Sequence, residues 1–290
     1  MVTRRDFAGG ETPTWCTGCG NFAILNGIKM ALAEQEIAPH EILLVTGIGC
    51  GSKLPHYMHV NGFHTLHGRP VAVATGVRLA NHGLRVMVVH GDGDGYGEGL
   101  SHFLNAARRN LNIVDLVQDN RVYGLTRGQY SPTSERGKRT PTTPAGAIEW
   151  PVNPLALAIT AGATFVSRGY SGELEHLVWL IGEALQHPGY ALVDVLQPCV
   201  TWNRNYAYDF YRERVYKLEE DAAYDPRDRT AAWERAHEWD ERIPIGIFYR
   251  GELKPTYEEQ VAALVSSCLV DRPLDREWIL HVEELMQTFF

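Results

Sequence analysis

The feature that most constrains this chain is a repeated alternation. Short apolar runs end abruptly in polar or glycine-rich loops, with helical-period segments between them. The runs lie at 42–48, 85–90, 113–118, 164–167 and 191–196. Runs this short and this apolar read as strands buried on both faces. Residues 21–35 carry Phe22, Ile24, Leu25, Ile28, Ala31 and Leu32 at helical spacing, and 71–81, 98–110, 154–163 and 171–186 read the same way. This order predicts an α/β fold, a parallel sheet with helices on both faces. Such sheets bind ligands beyond the carboxyl ends of their strands. Cys50, Asp92, Asn120 and Cys199 each follow a strand directly, so the topology gathers them on one rim.

Two stretches break the pattern. Residues 127–154 are rich in Ser, Thr, Pro and Gly and read as a long ordered loop or lid. From about 200 to 290 the chain is charged and aromatic, with helical patches at 230–241 and 257–268. The expected division is a domain of residues 1–205 that carries the chemistry and a C-terminal extension, 206–290, that packs on a neighbouring subunit. At 290 residues with 44% hydrophobic content the chain closes a sizeable core. A net charge of −8 argues against nucleic acid as a partner. No apolar run reaches membrane-spanning length, and the start does not resemble a secretory signal, so the expected location is the cytoplasm. An odd count of five cysteines in that setting fits reduced, metal-ligating thiols better than disulfides.

Gly91-Asp92-Gly93 follows a strand, and Asp119-Asn120 ends the next one. Glycines there let backbone approach phosphate oxygens, and a helix starting near Gly97 points free N–H groups at the same anion. Asp92, the Asn120 side-chain oxygen and the Val122 carbonyl would supply hard oxygen donors to Mg²⁺, with a diphosphate completing the octahedron. The plain alternative is a turn with a solvated aspartate. The pair resembles the thiamine diphosphate motif, in which a GDG is followed by a terminal Asn-Asn; here Asp119 replaces the first Asn.

Cys16 and Cys19 form a Cys-x-x-Cys, while Cys50 and Cys199 are solitary. Four thiolates from three loops suit a [4Fe–4S] cluster, whereas a zinc knuckle usually shows a second tight pair. Singly, Cys50 or Cys199 reads equally as a small buried hydrophobe. Cys268, among Val261, Leu264, Val265 and Leu269, is expected in the core.

Four motifs occur in sequence: Trp15-Cys16-x-Gly18-Cys19-Gly20, Gly47-Ile48-Gly49-Cys50, His64-Thr65-x-His67-Gly68-Arg69 and Tyr123-Gly124-Leu125-Thr126-x-Gly128-Gln129. With these the chain, over about residues 11 to 205, resembles the β subunit of 2-oxoacid:ferredoxin oxidoreductases. The Ser131-Pro132-Thr133 continuation looks most like the 2-oxoglutarate branch. The resemblance implies the thiamine diphosphate-binding fold of the diphosphate type, with Mg²⁺ and one [4Fe–4S] cluster. It also implies an α subunit that supplies the pyrimidine half of the cofactor site, and assembly as a dimer of αβ pairs. The implied reaction converts a 2-oxoacid, coenzyme A and oxidised ferredoxin to acyl-CoA, carbon dioxide and reduced ferredoxin. For 2-oxoglutarate the product is succinyl-CoA, and the reverse direction fixes carbon dioxide in a reductive cycle.

The resemblance carries roles onto individual residues. Cys16, Cys19, Cys50 and Cys199 ligate the cluster, and Asp92, Asn120 and Val122 hold Mg²⁺. Gly91, Gly93, Asp94, Gly124 and Thr126 contact the diphosphate or shape its loop. Leu125 is the apolar wedge that bends the cofactor. His67 and Arg69 touch phosphate or the substrate carboxylate, or else belong to a surface loop. Lys53 is the first choice for a cation on a 2-oxoacid carboxylate, with a solvated lysine as the alternative, and Arg127 is the second choice. Two other readings stay open: a non-oxidative thiamine diphosphate decarboxylase or carboligase subunit with structural zinc, and a metal-stabilised scaffold without turnover.

Overall fold

The structure is a computed structural model that describes residues 1–272, 282–284 and 286–288. Its strands are β1 (Ile42–Thr46), β2 (Asn61–His64), β3 (Arg85–Gly91), β4 (Val114–Asp119), β5 (Phe165–Tyr170), β6 (Ala191–Leu196), β7 (Val215–Lys217) and β8 (Ile243–Arg250). They make one sheet in the order β2-β1-β3-β4-β6-β5-β8-β7. The expected apolar runs are its centre: every residue of β1, β4, β5 and β6 is buried. Such strands need helices on both faces, because each face shows apolar side chains. On one face lie α1 (Asn21–Glu34) and α5 (Leu174–Gln186), packed over Leu44, Met87, Leu116 and Val193. On the other lie α2 (Pro70–Ala80), α3 (Leu100–Arg109) and α4 (Pro154–Ala161), packed over Val45, Val88, Val117 and Leu192.

All neighbours from β2 through β5 are parallel, and their carboxyl ends align. Gly91 pairs with Gln118, and Asp119 pairs with Leu196. Loops 47–51, 92–99, 120–130 and 197–203 therefore leave the sheet at one rim. Because β2 lies on one side of β1 and β3 on the other, the chain reverses direction there, and the crevice opens beside β1 and β3.

The structure differs from the sequence reading in four places. The sheet is not wholly parallel: β8 runs antiparallel to β5, and β7 pairs parallel with β8. Residues beyond 206 thus extend the same sheet, where Pro244 and Gly246 disguised the alternating Ile243, Ile245 and Ile247 as a loop. In that segment α6 (Tyr208–Arg212) packs near Tyr170, and α7 (Arg229–Ala236) covers the α4 face. The end of the expected extension, within 273–290, lies largely outside the described residues. Second, residues 61–64 form an exposed edge strand where the sequence predicted no element. Third, helical geometry begins at Gly93, as a wide π-type turn through Glu98 that runs into α3. Fourth, the patch at 257–268 splits into α8 (Tyr257–Gln260) and α9 (Ala262–Val265), and Cys268 is only half-buried.

Candidate active site

One cleft of about 520 Å³ opens at this rim. All residues expected at the metal and diphosphate line it, together with Cys50, His67 and Leu125. Asp92 is 1% exposed and its Oδ2 accepts the hydroxyls of Ser131 and Thr133, each at 2.5 Å. The long loop 127–153 is thus ordered in part by its grip on this carboxylate. Burial, and then the charge of Asp119, push Asp92 up to about 7. Asp92 forms no ion pair among the described residues. The nearby ammonium of Lys138 is committed to the Arg121 carbonyl and Asn203 Oδ1, both at 2.8 Å. A buried carboxylate without a cation is costly, so this environment fits a bound divalent ion. Asn120 is held from both sides: its Oδ1 accepts the Val122 N–H at 3.1 Å, and its Nδ2 donates to Gln197 Oε1 at 2.8 Å.

Gly93 begins the helical turn beside Asp92, and a Cβ there would collide with the Tyr123 ring. The bare backbone lets Tyr123 wall the cleft, which also fits close approach by an anion. Asp94 does not project into the cleft as a free ligand. Its carboxylate accepts the N–H groups of Ile48 (3.0 Å) and Gly68 (2.9 Å) and contacts His67 Nδ1 (2.5 Å) and His90 Nδ1 (3.1 Å). It fastens three loops together, so its place is that of a loop-shaping residue. Despite burial, the His90 contacts and the two N–H groups hold its carboxyl below the ordinary value. His90 is sandwiched between Asp94 and Asp115 (2.8 Å); burial opposes its charge, but the two carboxylates outweigh that and lift it to about 10.

The cation candidates fare differently. His67 lines the cleft, with Nε2 3.5 Å from Glu98 Oε2. Arg69 does not: as the residue capping α2 it turns outward to His102 Nε2 at 3.2 Å. Arg127 is exposed, with φ +78°, and lies outside the lining. Lys53 is also outside, donating to Thr14 Oγ1 at 3.4 Å. Burial and the charge of Cys199 raise the Cys50 thiol, and the Lys53 ammonium pulls against them. Leu125 is 47% exposed at the cleft mouth.

The thiol loops abut the cleft. A Cβ on Gly124 would lie 3.8 Å from Cys199 Sγ and 3.9 Å from Cys50 Sγ. Trp15 Nε1 donates to the Cys50 carbonyl at 2.6 Å, and the Gly20 N–H to the Pro198 carbonyl at 3.2 Å, which ties the three loops together. Burial, and the charges of Cys199, Cys50 and Cys16, raise the Cys19 thiol to about 11 against a favourable backbone N–H of Asn21. All four thiols therefore sit in one electrostatic neighbourhood. Among the described residues, no three His, Cys, Asp or Glu side chains are grouped so as to hold a single metal ion.

Gln118 was not singled out in the sequence. It is 1% exposed, lines the cleft, and its Nε2 has no partner. A Cβ on Gly51 would overlap its Oε1, so Gly51 is what admits it. A buried donor without a protein acceptor in the lining of a cleft fits a group that meets a ligand or a water. The only local signal was its position two residues before Asn120, on the same face of β4.

Comparison with known proteins agrees with this geometry. Residues 47–195 match the thiamine pyrophosphate enzyme C-terminal TPP binding domain, and 199–266 match the C-terminal family of the pyruvate ferredoxin oxidoreductase beta subunit. The chain is similar to the β subunit of 2-oxoacid:ferredoxin oxidoreductase 1 of Aeropyrum pernix, 48% identical over 89% of this chain and 84% of that protein. It is 45% identical to the 2-oxoglutarate oxidoreductase subunit KorB of Mycobacterium tuberculosis over 74% of this chain and 58% of that one. A solved 2-oxoglutarate:ferredoxin oxidoreductase chain from Magnetococcus marinus, with 2-oxoglutarate, coenzyme A and succinyl-CoA bound, superposes with a TM-score of 0.88 at 38% identity over 97% of this chain and 96% of that chain. This chain belongs to the family of β subunits of 2-oxoacid:ferredoxin oxidoreductases.

Proposed function

We propose that, with an α subunit, this chain oxidises 2-oxoglutarate reversibly to succinyl-CoA and carbon dioxide and passes the electrons through a [4Fe–4S] cluster to ferredoxin. The observation that carries the reading is convergence. One cleft is lined by the whole diphosphate and metal set, and three loops bearing four thiols abut it. The substrate choice is supported by the names of the Mycobacterium and Magnetococcus relatives.

Bound thiamine diphosphate supplies the electron sink for carbon-skeleton chemistry, and the cluster a one-electron acceptor. The protein's part is placement. Asp92, the Asn120 oxygen and the Val122 carbonyl hold Mg²⁺, while the N–H groups from Gly93 onward, with Gly91, Gly124 and Thr126, receive the diphosphate. Asp94 keeps the loops at Ile48 and Gly68 closed around it. His67, in the cleft lining and fixed at Nδ1 by Asp94, directs Nε2 toward Glu98. Leu125, at the cleft mouth, would offer apolar support to the cofactor. Cys16, Cys19, Cys50 and Cys199 ligate the cluster. Lys53 lies beside Cys50, where an arriving 2-oxoacid carboxylate would meet it, while Arg69 is engaged with His102 and Arg127 is exposed outside the cleft lining. The segment from 206 packs against the partner subunits, in a dimer of αβ pairs.

Anaerobic co-purification with an α subunit tests this. The expected protein is brown, bleaches on reduction, and reduces a viologen with 2-oxoglutarate only when coenzyme A is present. Cys50→Ser should remove the colour and leave the circular dichroism unchanged. A colourless, zinc-loaded complex that decarboxylates without the viologen would defeat the oxidative reading and favour the non-oxidative one.

A further inference from the structure

Gln197 stands between the two halves of the site. It follows β6 directly, is 1% exposed, and its backbone N–H donates to the Asp119 carbonyl at 2.9 Å, fixing it against the end of β4. Its side-chain orientation is forced from both ends. The Val122 N–H can only donate, so the Asn120 atom 3.1 Å away is the oxygen. Asn120 therefore turns its Nδ2 toward Gln197, whose Oε1 accepts at 2.8 Å. That leaves Gln197 Nε2 facing the Pro198 carbonyl at 2.9 Å and Cys19 Sγ at 3.3 Å. The Pro198 carbonyl can only accept, so it demands the same assignment independently.

We propose that Gln197 is a positioning residue that couples the metal site to the cluster: its Oε1 holds the Asn120 amide, and its Nε2–H donates to the Cys19 sulfur and raises the cluster's reduction potential. The inference rests on the placement of Mg²⁺ and the cluster given under Proposed function. Reduction adds negative charge to the cluster and its thiolates. A donor aimed at a ligand sulfur stabilises the reduced form more than the oxidised one. On the other side, an Asn120 amide without its Nδ2 partner keeps one of its two anchors, the Val122 N–H, and its oxygen is placed less firmly where the metal needs it. One buried side chain thus sets the affinity of one centre and the potential of the other.

Two variants separate these roles in the anaerobic αβ holoenzyme. Gln197→Glu keeps an oxygen for Asn120 Nδ2 and removes the donor to Cys19, whereas Gln197→Met, of similar volume, removes both. Potentiometric titration should show the cluster midpoint lowered in both variants by about 59 mV, a tenfold step in a one-electron equilibrium. Binding of thiamine diphosphate with Mg²⁺ to cofactor-stripped protein should weaken roughly tenfold in the Met variant and stay near wild type in the Glu variant. If the Met variant does not fold, the Glu variant decides through its midpoint. An iron-loaded wild type whose variants keep its midpoint would overturn this inference alone. So would loss of iron from a folded Glu variant, because such a bond tunes a ligand and does not hold the cluster. A wild type without iron would overturn the underlying functional reading first, and this inference with it.

Discussion

Thr133→Val tests whether the Ser131-Pro132-Thr133 segment serves the metal ligand. Valine matches threonine in shape, so the change removes one hydroxyl and little else. That hydroxyl lies 2.5 Å from Asp92 Oδ2 and 2.8 Å from Asp119 Oδ1, which puts the two carboxylate oxygens no more than about 5.3 Å apart. At an effective dielectric of about 20, two unit charges at that separation repel by about 3 kcal/mol. Thr133 and Ser131 stabilise the charged form of Asp92 and so lower its pKa, which burial and Asp119 still hold at about 7. Without Thr133 it rises further, and protons compete with Mg²⁺ at neutral pH. Losing a hydrogen-bonding partner of a metal ligand typically weakens binding 10- to 100-fold. Magnesium titration of cofactor-loaded holoenzyme, followed by tryptophan fluorescence, should show a loss of that order at pH 7. The loss should shrink as pH rises above 8, and Thr133→Ser should recover most of it. An affinity within about twofold of wild type at pH 7 would refute the reasoning.

Two further outcomes are expected. Gly51→Ala drives a Cβ into Gln118, which is too buried to swing away, and overpacking of this kind costs about 1–3 kcal/mol; an unchanged urea midpoint would show that the loop yields freely. His187 is held neutral, lowered to about 4 by burial and then by the charge of Arg250, while its Nε2 donates to Thr164 Oγ1 at 2.7 Å. The unfolded chain protonates this imidazole as pH falls through 6.5 and the native state does not, so its contribution is full above 6.5 and disappears towards 4. From pH 7 to 5 the wild type should lose about 2 kcal/mol more than His187→Gln in paired urea titrations, and parallel losses in the two proteins would remove His187 from the account.

The sheet core and the cleft loops bearing Asp92 and Asn120 were legible because their signals are local. An apolar run ending in a glycine needs no partner to be read, and Asp92 and Asn120 are placed by the strands they terminate. Side-chain direction was not legible. His67 and Arg69 are two residues apart in one motif, yet one faces the cleft and the other, capping α2, faces His102. Residues whose role consists of distant contacts left no trace in the chain. Asp94 was expected at the diphosphate, but the residues that claim it come from positions 48, 67, 68 and 90. Gln197 carries no local signature, and Gln118 has its place two residues before Asn120 and nothing more, since a lone glutamine beside a strand end is ordinary. The strand β8 was lost for a different reason: its proline and glycine imitate a turn, and only its pairing with β5 makes it a strand.

The one departure from the family motif, Asp119 in place of an asparagine, has a structural consequence that reaches the proposed metal site. Buried acids beneath this rim mostly have cations: Asp94 and Asp115 share His90, and Asp194 pairs with Arg168 at 3.3 Å. Among the described residues Asp119 has only the Arg121 N–H at 3.2 Å and the Thr133 hydroxyl, and that hydroxyl has a single proton to divide with Asp92. Two carboxylates around one donor leave the site short of positive charge before any metal arrives. An asparagine at 119 would remove that deficit and let Asp92 ionise more readily. The aspartate therefore makes the site a stronger electrostatic attractor for a divalent ion and a more pH-sensitive one. Asp119→Asn should accordingly bind Mg²⁺ less tightly above pH 8, beyond the value of about 7 to which Asp92 is raised, and lose less affinity than wild type on acidification to pH 6; magnesium titrations at the two pH values that ran parallel for the two proteins would show that Asp119 does not shape the site.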